Sequence, residues 1–421
     1  MDASALVALP VNAPGVDAFT LKADLIWLLR QLVIFGLPLA YFFSGFSARF
    51  RDRVAVWTSG VYQFTVILFA FISVAVVTLL SLPVSYWLEI ALQPPGWQPS
   101  ITSWLFVNLV RGFYAFLYVT GAALVLPFLT LLSPKRWWVI VAVFAIPVLV
   151  LNISRENNMP PQPDARYLQI NSDTLTTLFK RCKVRNIPLF VGGELTGIDG
   201  SGADARVLLS ATDAGELSDA QFLSKIAHEL KHEIASDTLT TVGFATLLVS
   251  AGLFLIFSVG GAAARRFGPR LRVKGIEDIG VLPLLVGIAG LYWTFIGAPA
   301  LNTVRRGNEL DADRFALELT HANSAVAGMH AAAAGATTTA PPGRLVEYDP
   351  LHTYLRASVP SDVERVQLAN TYKPWASGQP GKYADLCGAG PAVVTPAMEK
   401  GLAPDIPGEP FMEPAAKPAA K

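Results

Sequence analysis

The sequence predicts a predominantly α-helical membrane protein with about six transmembrane helices, plus an α+β domain with a small sheet assembled from two separate stretches of chain. Three observations carry this expectation. Of 421 residues, 52% are hydrophobic and only 15% charged, with a mean hydropathy of +0.43, a balance typical of membrane proteins rather than soluble ones. Apolar runs long enough to cross a hydrocarbon core of about 30 Å, at about 1.5 Å per helical residue, recur along the chain. Two polar stretches, 152–237 and 300–388, flank one pair of such runs. The net charge of +1 offers no basic face, so nothing points to nucleic acid, and the lipid bilayer is the expected surrounding.

Residues 1–24 are an N-terminal segment without the pattern of a removable signal. Residues 25–151 read as a four-helix membrane region. Leu25–Phe43 is the first span, interrupted only by Arg30 and Gln31, and the basic Arg49, Arg51 and Arg53 follow it. Tyr62–Leu82 is the second span, and its apolar character persists to Leu92 before a turn-rich break at Gln93–Ser100. Trp104–Leu132 is the third, closed by Lys135 and Arg136. Trp137–Leu151 is a short fourth that starts from two interfacial tryptophans. Residues 152–237 form the first part of the polar domain, with a proline-rich linker followed by strand-like runs at Tyr167–Ile170, Ile187–Val191 and Arg206–Ser210. Residues 238–299 are a helical hairpin, Leu239–Ala262 and Ile279–Ala298, joined by a loop with Arg265, Arg266, Arg270, Arg272 and Lys274. Residues 300–388 form the second part of the domain, with Ala331–Gly343 expected as a loop. Residues 389–421 are a Pro/Ala-rich tail, expected to be disordered.

The chemistry is concentrated in Ser218–Glu233. Ser218 and Gln221 read as a capping box, which starts a helix just after Ser218 and puts His228 and His232, four apart, on one face. Two neutral imidazoles so placed can hold one zinc ion, one per chain, at about 2.0–2.1 Å each. Glu229, rotated around the helix, is then the natural base for a zinc-bound water. After the last span, Glu309 and Asp313 share a helix face. A carboxylate from a second helix would complete a His₂Glu set with one open position, the pattern of a catalytic site, and Asp313 could accept a hydrogen bond from a ligand histidine. Either acid could equally be part of a solvated helix face. His321 and His330 read as surface residues.

His228-Glu-x-x-His232, two spans, and then Arg306-x-x-Glu309-x-x-Ala312-Asp313-x-x-Ala316 together resemble the integral-membrane zinc metalloendopeptidases of the type I CAAX prenyl protease family, with the heat-shock membrane proteases as relatives. The resemblance implies a zincin-like fold of the gluzincin type, zinc ligands at His228, His232 and Glu309, the base at Glu229, support from Asp313, and a polypeptide substrate. It also implies that Arg206, Val207, Leu208, Leu209 and Ser210 are an edge strand that pairs with extended substrate. The chain departs from the family in one respect. Val359 stands where a histidine before proline is expected to stabilise the oxyanion, although Arg365 can be matched. His352 or Tyr354 would have to substitute, or turnover would suffer by about 100- to 1000-fold.

The basic loops fall on the side opposite the polar domain, which by the positive-inside rule puts the site outside a bacterial inner membrane, whereas family precedent opens it to the cytosol. An outward site would be oxidising enough to join Cys182 to Cys387. Two other readings stay open: a catalytically silent relative that binds membrane proteins, favoured by Val359, and a transporter, favoured by the intramembrane charges Arg30, Glu89 and Arg111.

Overall fold

The computed structural model describes residues 6–12, 16–91, 98–144, 147, 168–170, 173–191, 196–199, 205–338 and 346–387. Among these, five helical runs are long and apolar enough to cross a membrane: Phe19–Phe43, Tyr62–Ala91, Ile101–Thr130, Asp237–Leu271 and Ile279–Thr320. The expected fourth span is helical over 137–144, and most of the remainder lies outside the described residues. So do the proline-rich linker, most of the turn-rich break and the C-terminal tail.

The membrane region contains Val16–Phe43 (α1), Phe46–Trp57 (α2), Tyr62–Tyr86 (α3) and Ile101–Leu132 (α4). Ser100 caps α4 by accepting from the Ser103 amide. Phe106, Leu109, Phe113 and Tyr118 of α4 are exposed on the molecule's surface, as side chains bathed by lipid would be. The expected basic loop after the first span is helical, and its Arg51 pairs with Asp278 at the turn before the last span. Helix α1 also starts earlier than expected. Val16–Asp24 belongs to it, so the boundary at residue 24 separates no structural unit.

The sheet consists of Leu168–Ile170 (β1), Leu189–Val191 (β2), Gly197–Asp199 (β3) and Arg206–Leu209 (β4), in the order β1-β2-β4-β3. β2 and β4 run parallel, and the other two pairs are antiparallel. This corrects the expectation for Arg206–Ser210. β4 is an interior strand with Val207 fully buried, and Ser210 lies beyond it as the cap of the short helix Ala211–Glu216. The edges are β1 and β3, and β3, the one beside β4, has a composition (Gly, Ile, Asp) that gave no strand signal.

Behind the sheet, Asp173–Arg181 (α5), the motif helix Asp219–Ile234 and Ala298–Thr320 enclose one core with Phe179, Val207, Ile226, Leu230 and Phe315 at its centre. Numbering Ala211–Glu216 as α6 makes the motif helix α7. It is followed by Asp237–Leu255 (α8), Gly261–Leu271 (α9), Leu282–Tyr292 (α10) and Ala298–Thr320 (α11). The last helical run, Ile279–Thr320, has 42 residues, about 63 Å at the helical rise and so about twice a bilayer core. Its first half is the expected span. Its second half, α11, leaves the membrane as the same run and carries Glu309 into the polar domain.

The chain continues through Asn323–Thr338 (α12), Pro350–Leu355 (α13), Asp362–Thr371 (α14) and Ala384–Cys387 (α15). The loop expected from Ala331 is helical as far as Thr338, consistent with alanine being the strongest helix former. Cys182 and Cys387 are joined as a disulfide.

Candidate metal centre

Helix α7 begins as its capping box dictates: the Ser218 hydroxyl accepts from the Gln221 amide, and the Gln221 side chain accepts from the Ser218 amide at 2.9 Å. That fixes the phase of the helix, with Leu223, Ile226, Ala227 and Leu230 turned into the core and His228 and His232 onto the adjoining face toward α11. The two imidazole Nε2 atoms lie 3.3 Å apart. From α11, Glu309 brings Oε2 to 3.4 Å from His228 Nε2 and Oε1 to 3.5 Å from His232 Nε2. A tetrahedral zinc with ligands at about 2.0–2.1 Å keeps them about 3.3–3.4 Å apart. The three donors therefore have the spacing that one such ion requires, and they form the one group of this kind among the described residues.

Each histidine is held from behind. His228 Nδ1 lies 2.8 Å from Asp313 Oδ1, and His232 Nδ1 lies 2.7 Å from Asp237 Oδ2. With a carboxylate accepting at Nδ1, the neutral imidazole carries its proton there and leaves the Nε2 lone pair for a metal. Burial opposes a charge on His228. Its hydrogen bonds to the Asp313 and Glu309 carboxylates, with the charges of Asp313 and Glu229, outweigh it and raise its pKa to about 10 in the metal-free protein. Arg365 closes the network, donating to Glu309 Oε2 at 2.7 Å and reaching Asp313 Oδ1 at 3.4 Å. Glu229 lies beside the edge strand: a Cβ on Gly197 would stand 3.5 Å from its carboxyl carbon.

The profile of Peptidase family M48 matches residues 196–373. These residues therefore resemble an M48 peptidase domain. The match begins just before β3 and ends beyond α14, so the matched stretch contains both the motif helix and the helix with Glu309. The chain is 24% identical over 360 residues to a Bacillus subtilis (strain 168) protein described as the uncharacterized metalloprotease YhfN, covering 80% of this chain and 82% of that one. Its fold resembles the crystal structure of S. mikatae Ste24p, with a TM-score of 0.57 and 16% identity over 84% of this chain and 86% of the other. The protein is thus a membrane metalloprotease, as the motif resemblance implied.

Within the matched stretch, His228, His232, Glu309, Asp313 and Arg365 come together. His352 and Tyr354 have other partners: His352 Nδ1 lies 3.0 Å from Asp24 Oδ2, and the Tyr354 hydroxyl donates to the Phe295 carbonyl. Val359 is partly exposed. Two residues escaped the sequence reading. Asp237, the first residue of α8, follows a tight turn at Ser236 with φ of 52°, and it also accepts from the buried Lys231 at 2.6 Å. An acid five residues past the second histidine was the available signal. His330, expected on the surface, is instead half-buried beside the metal centre, and burial lowers its pKa to about 4.

Proposed function

We propose that the chain is a zinc-dependent endopeptidase in which His228, His232 and Glu309 hold the ion and Glu229 is the general base. The observation that carries this is the spacing of the three donors, together with a carboxylate behind each imidazole. Zinc bound there would polarise the scissile carbonyl and acidify a water molecule. Glu229 takes the proton of the attacking water and hands it to the leaving amine. Arg365 holds the Glu309 carboxylate in place, and Asp313 and Asp237 fix the two histidine tautomers.

The substrate is an extended or membrane-associated polypeptide. Edge strand β3, next to Glu229, offers backbone pairing that is indifferent to side chains and suits an enzyme of loose specificity. With Val359 in place of a donor, and with His352 and Tyr354 engaged elsewhere, oxyanion support is weak and turnover is low. The basic loops and the Cys182–Cys387 bond favour an inner-membrane protein whose M48 domain faces the periplasm.

The test is cleavage of unfolded casein by detergent-purified protein. Glu229→Gln lowers turnover by about 100- to 10,000-fold with bound zinc unchanged; equal cleavage by both forms removes Glu229 from its role. Val359 also favours a second reading, a silent relative that binds membrane proteins, and zinc bound without any cleavage by the wild type would select it. The transporter reading is weaker, because Glu89 already pairs with Arg111 at 2.7 Å and Arg30 at 3.3 Å.

A further inference from the structure

In the membrane region one acid serves two arginines. Glu89 lies in the π-helical turn Trp87–Ala91 at the end of the second run. Arg111 of α4 donates to its Oε1 at 2.7 Å, Arg30 of α1 stands 3.3 Å from the same oxygen, and Asn108 Nδ2 donates to Oε2 at 3.2 Å. Both carboxylate oxygens are engaged, yet the cluster keeps one positive charge in excess. No other charged residue occurs in 25–43, 62–91 or 101–132, so these three spans hold no second acid to balance it. Arg30 Nε is buried without a hydrogen-bond partner among the described residues, and 53% of the Arg111 side chain is exposed. An uncompensated cation against hydrocarbon is costly, and a guanidinium with free N–H groups there calls for an anion.

The depth of the cluster fits a lipid phosphate. Arg30 follows Asp24 by about 9 Å of helix, and Asp24 is where α1 meets His352 and Arg356 of the polar domain. Glu89 stands just before Ala91, the last residue of its run. Helix α4 has 32 residues, about 48 Å against a core of about 30 Å, so the stretch 101–110 before Arg111 can lie outside the hydrocarbon. All three side chains then meet at the membrane boundary on the polar domain's side. We propose that Arg30 and Arg111 hold the phosphate of an anionic phospholipid headgroup at this boundary. Glu89 gathers the two guanidinium groups about one point, and each can offer a fork of N–H donors to the unesterified phosphate oxygens. Charge selects the headgroup. The single excess positive charge of the cluster is matched by a headgroup with a single negative charge, whereas a choline or ethanolamine headgroup brings its own cation. The half-exposed Arg111 is the side from which lipid enters.

The test uses full-length protein in detergent, with the thermal midpoint read against increasing short-chain phosphatidylglycerol, phosphatidylcholine or inorganic phosphate. Wild type is expected to be stabilised by phosphatidylglycerol well beyond either other probe. Arg111→Gln leaves a neutral Arg30–Glu89 pair and is expected to weaken phosphatidylglycerol binding about tenfold or more. Arg266→Gln, which changes an exposed arginine of α9 at the other end of the spans, should bind like wild type. Glu89→Gln removes the internal competitor for the guanidinium groups. Its expected signature is a lower midpoint in phosphatidylcholine and a larger gain from phosphatidylglycerol than wild type shows. The proposal is overturned if phosphatidylglycerol and phosphatidylcholine stabilise wild type equally, or if inorganic phosphate does as well as the lipid. It is also overturned if Arg111→Gln responds like wild type, if Arg266→Gln is as impaired as Arg111→Gln, or if Glu89→Gln loses the response, as a purely structural ion pair would. Should Arg111→Gln fail to fold, Glu89→Gln still decides. None of these readouts involves metal, so their outcome is separate from that of the metal-centre reading.

Discussion

In the proposed function, Asp237 and Asp313 do for the two histidines what the HExxH spacing alone cannot: a carboxylate 2.7–2.8 Å from each Nδ1 leaves Nε2 as the free ring nitrogen. Replacing Asp237 with Asn removes the charge but keeps a hydrogen-bonding group, and a 10- to 100-fold loss in zinc affinity is expected, read by chelator competition. Lys231 makes this substitution worse, since its ammonium, 3% exposed as a residue, would lose its carboxylate partner. Protons and metal also compete for His228 Nε2. Because the folded metal-free protein raises the pKa of His228 from 6.5 to about 10, its protonation stabilises that state fully below about pH 6.5 and this contribution is lost as pH rises through about 10. Metal must displace this proton at neutral pH. Apparent zinc affinity is therefore expected to rise about tenfold per pH unit between pH 7 and 9, where His228 supplies the one proton released. An affinity flat over that range would show that His228 is already neutral without metal.

Helices were legible in the sequence where a local signal agreed with burial. The Ser218–Gln221 capping box and the apolar positions of α7 place the histidines correctly because phase, cap and core make the same demand. Ser218→Ala should cost about 0.5–2 kcal/mol, seen as a lower unfolding temperature with unchanged metal stoichiometry. The sheet was less legible. Strand β4 is rich in Val and Leu because it is buried between two neighbours, and that richness marks an interior strand rather than an edge. Strand β3 reveals itself only through pairing, Gly197 opposite Leu208 and Asp199 opposite Arg206. A Cβ at Gly197 would be in ordinary contact with the Glu229 carboxyl, at 3.5 Å, and the branched methyls of Gly197→Val would reach further toward it, so this change is expected to reduce casein cleavage more than it reduces stability, tested by comparing turnover with thermal midpoint.

At the scale of the whole molecule, the two halves of the polar domain are brought together by long helices that run on from the membrane region. Helix α11 continues the last membrane run, and α1 is fastened to the polar domain where Asp24, fully buried, meets His352 and Arg356. These long-range ties were not legible, because nothing local marks Asp24 as the partner of residues more than 300 positions away. The Cys182–Cys387 bond closes a separation of 205 residues, and its removal by Cys387→Ser should lower stability by about 2–4 kcal/mol. The proposed function nevertheless converges on one ion that α7 and α11 would share. X-ray absorption at the zinc edge of the purified protein tests this most directly. One zinc per chain is expected, bound by two imidazole nitrogens and carboxylate or water oxygens at about 2.0–2.1 Å, with Glu309→Ala losing the metal. Substoichiometric zinc in the wild type, or a zinc spectrum unchanged by Glu309→Ala, would contradict the shared site.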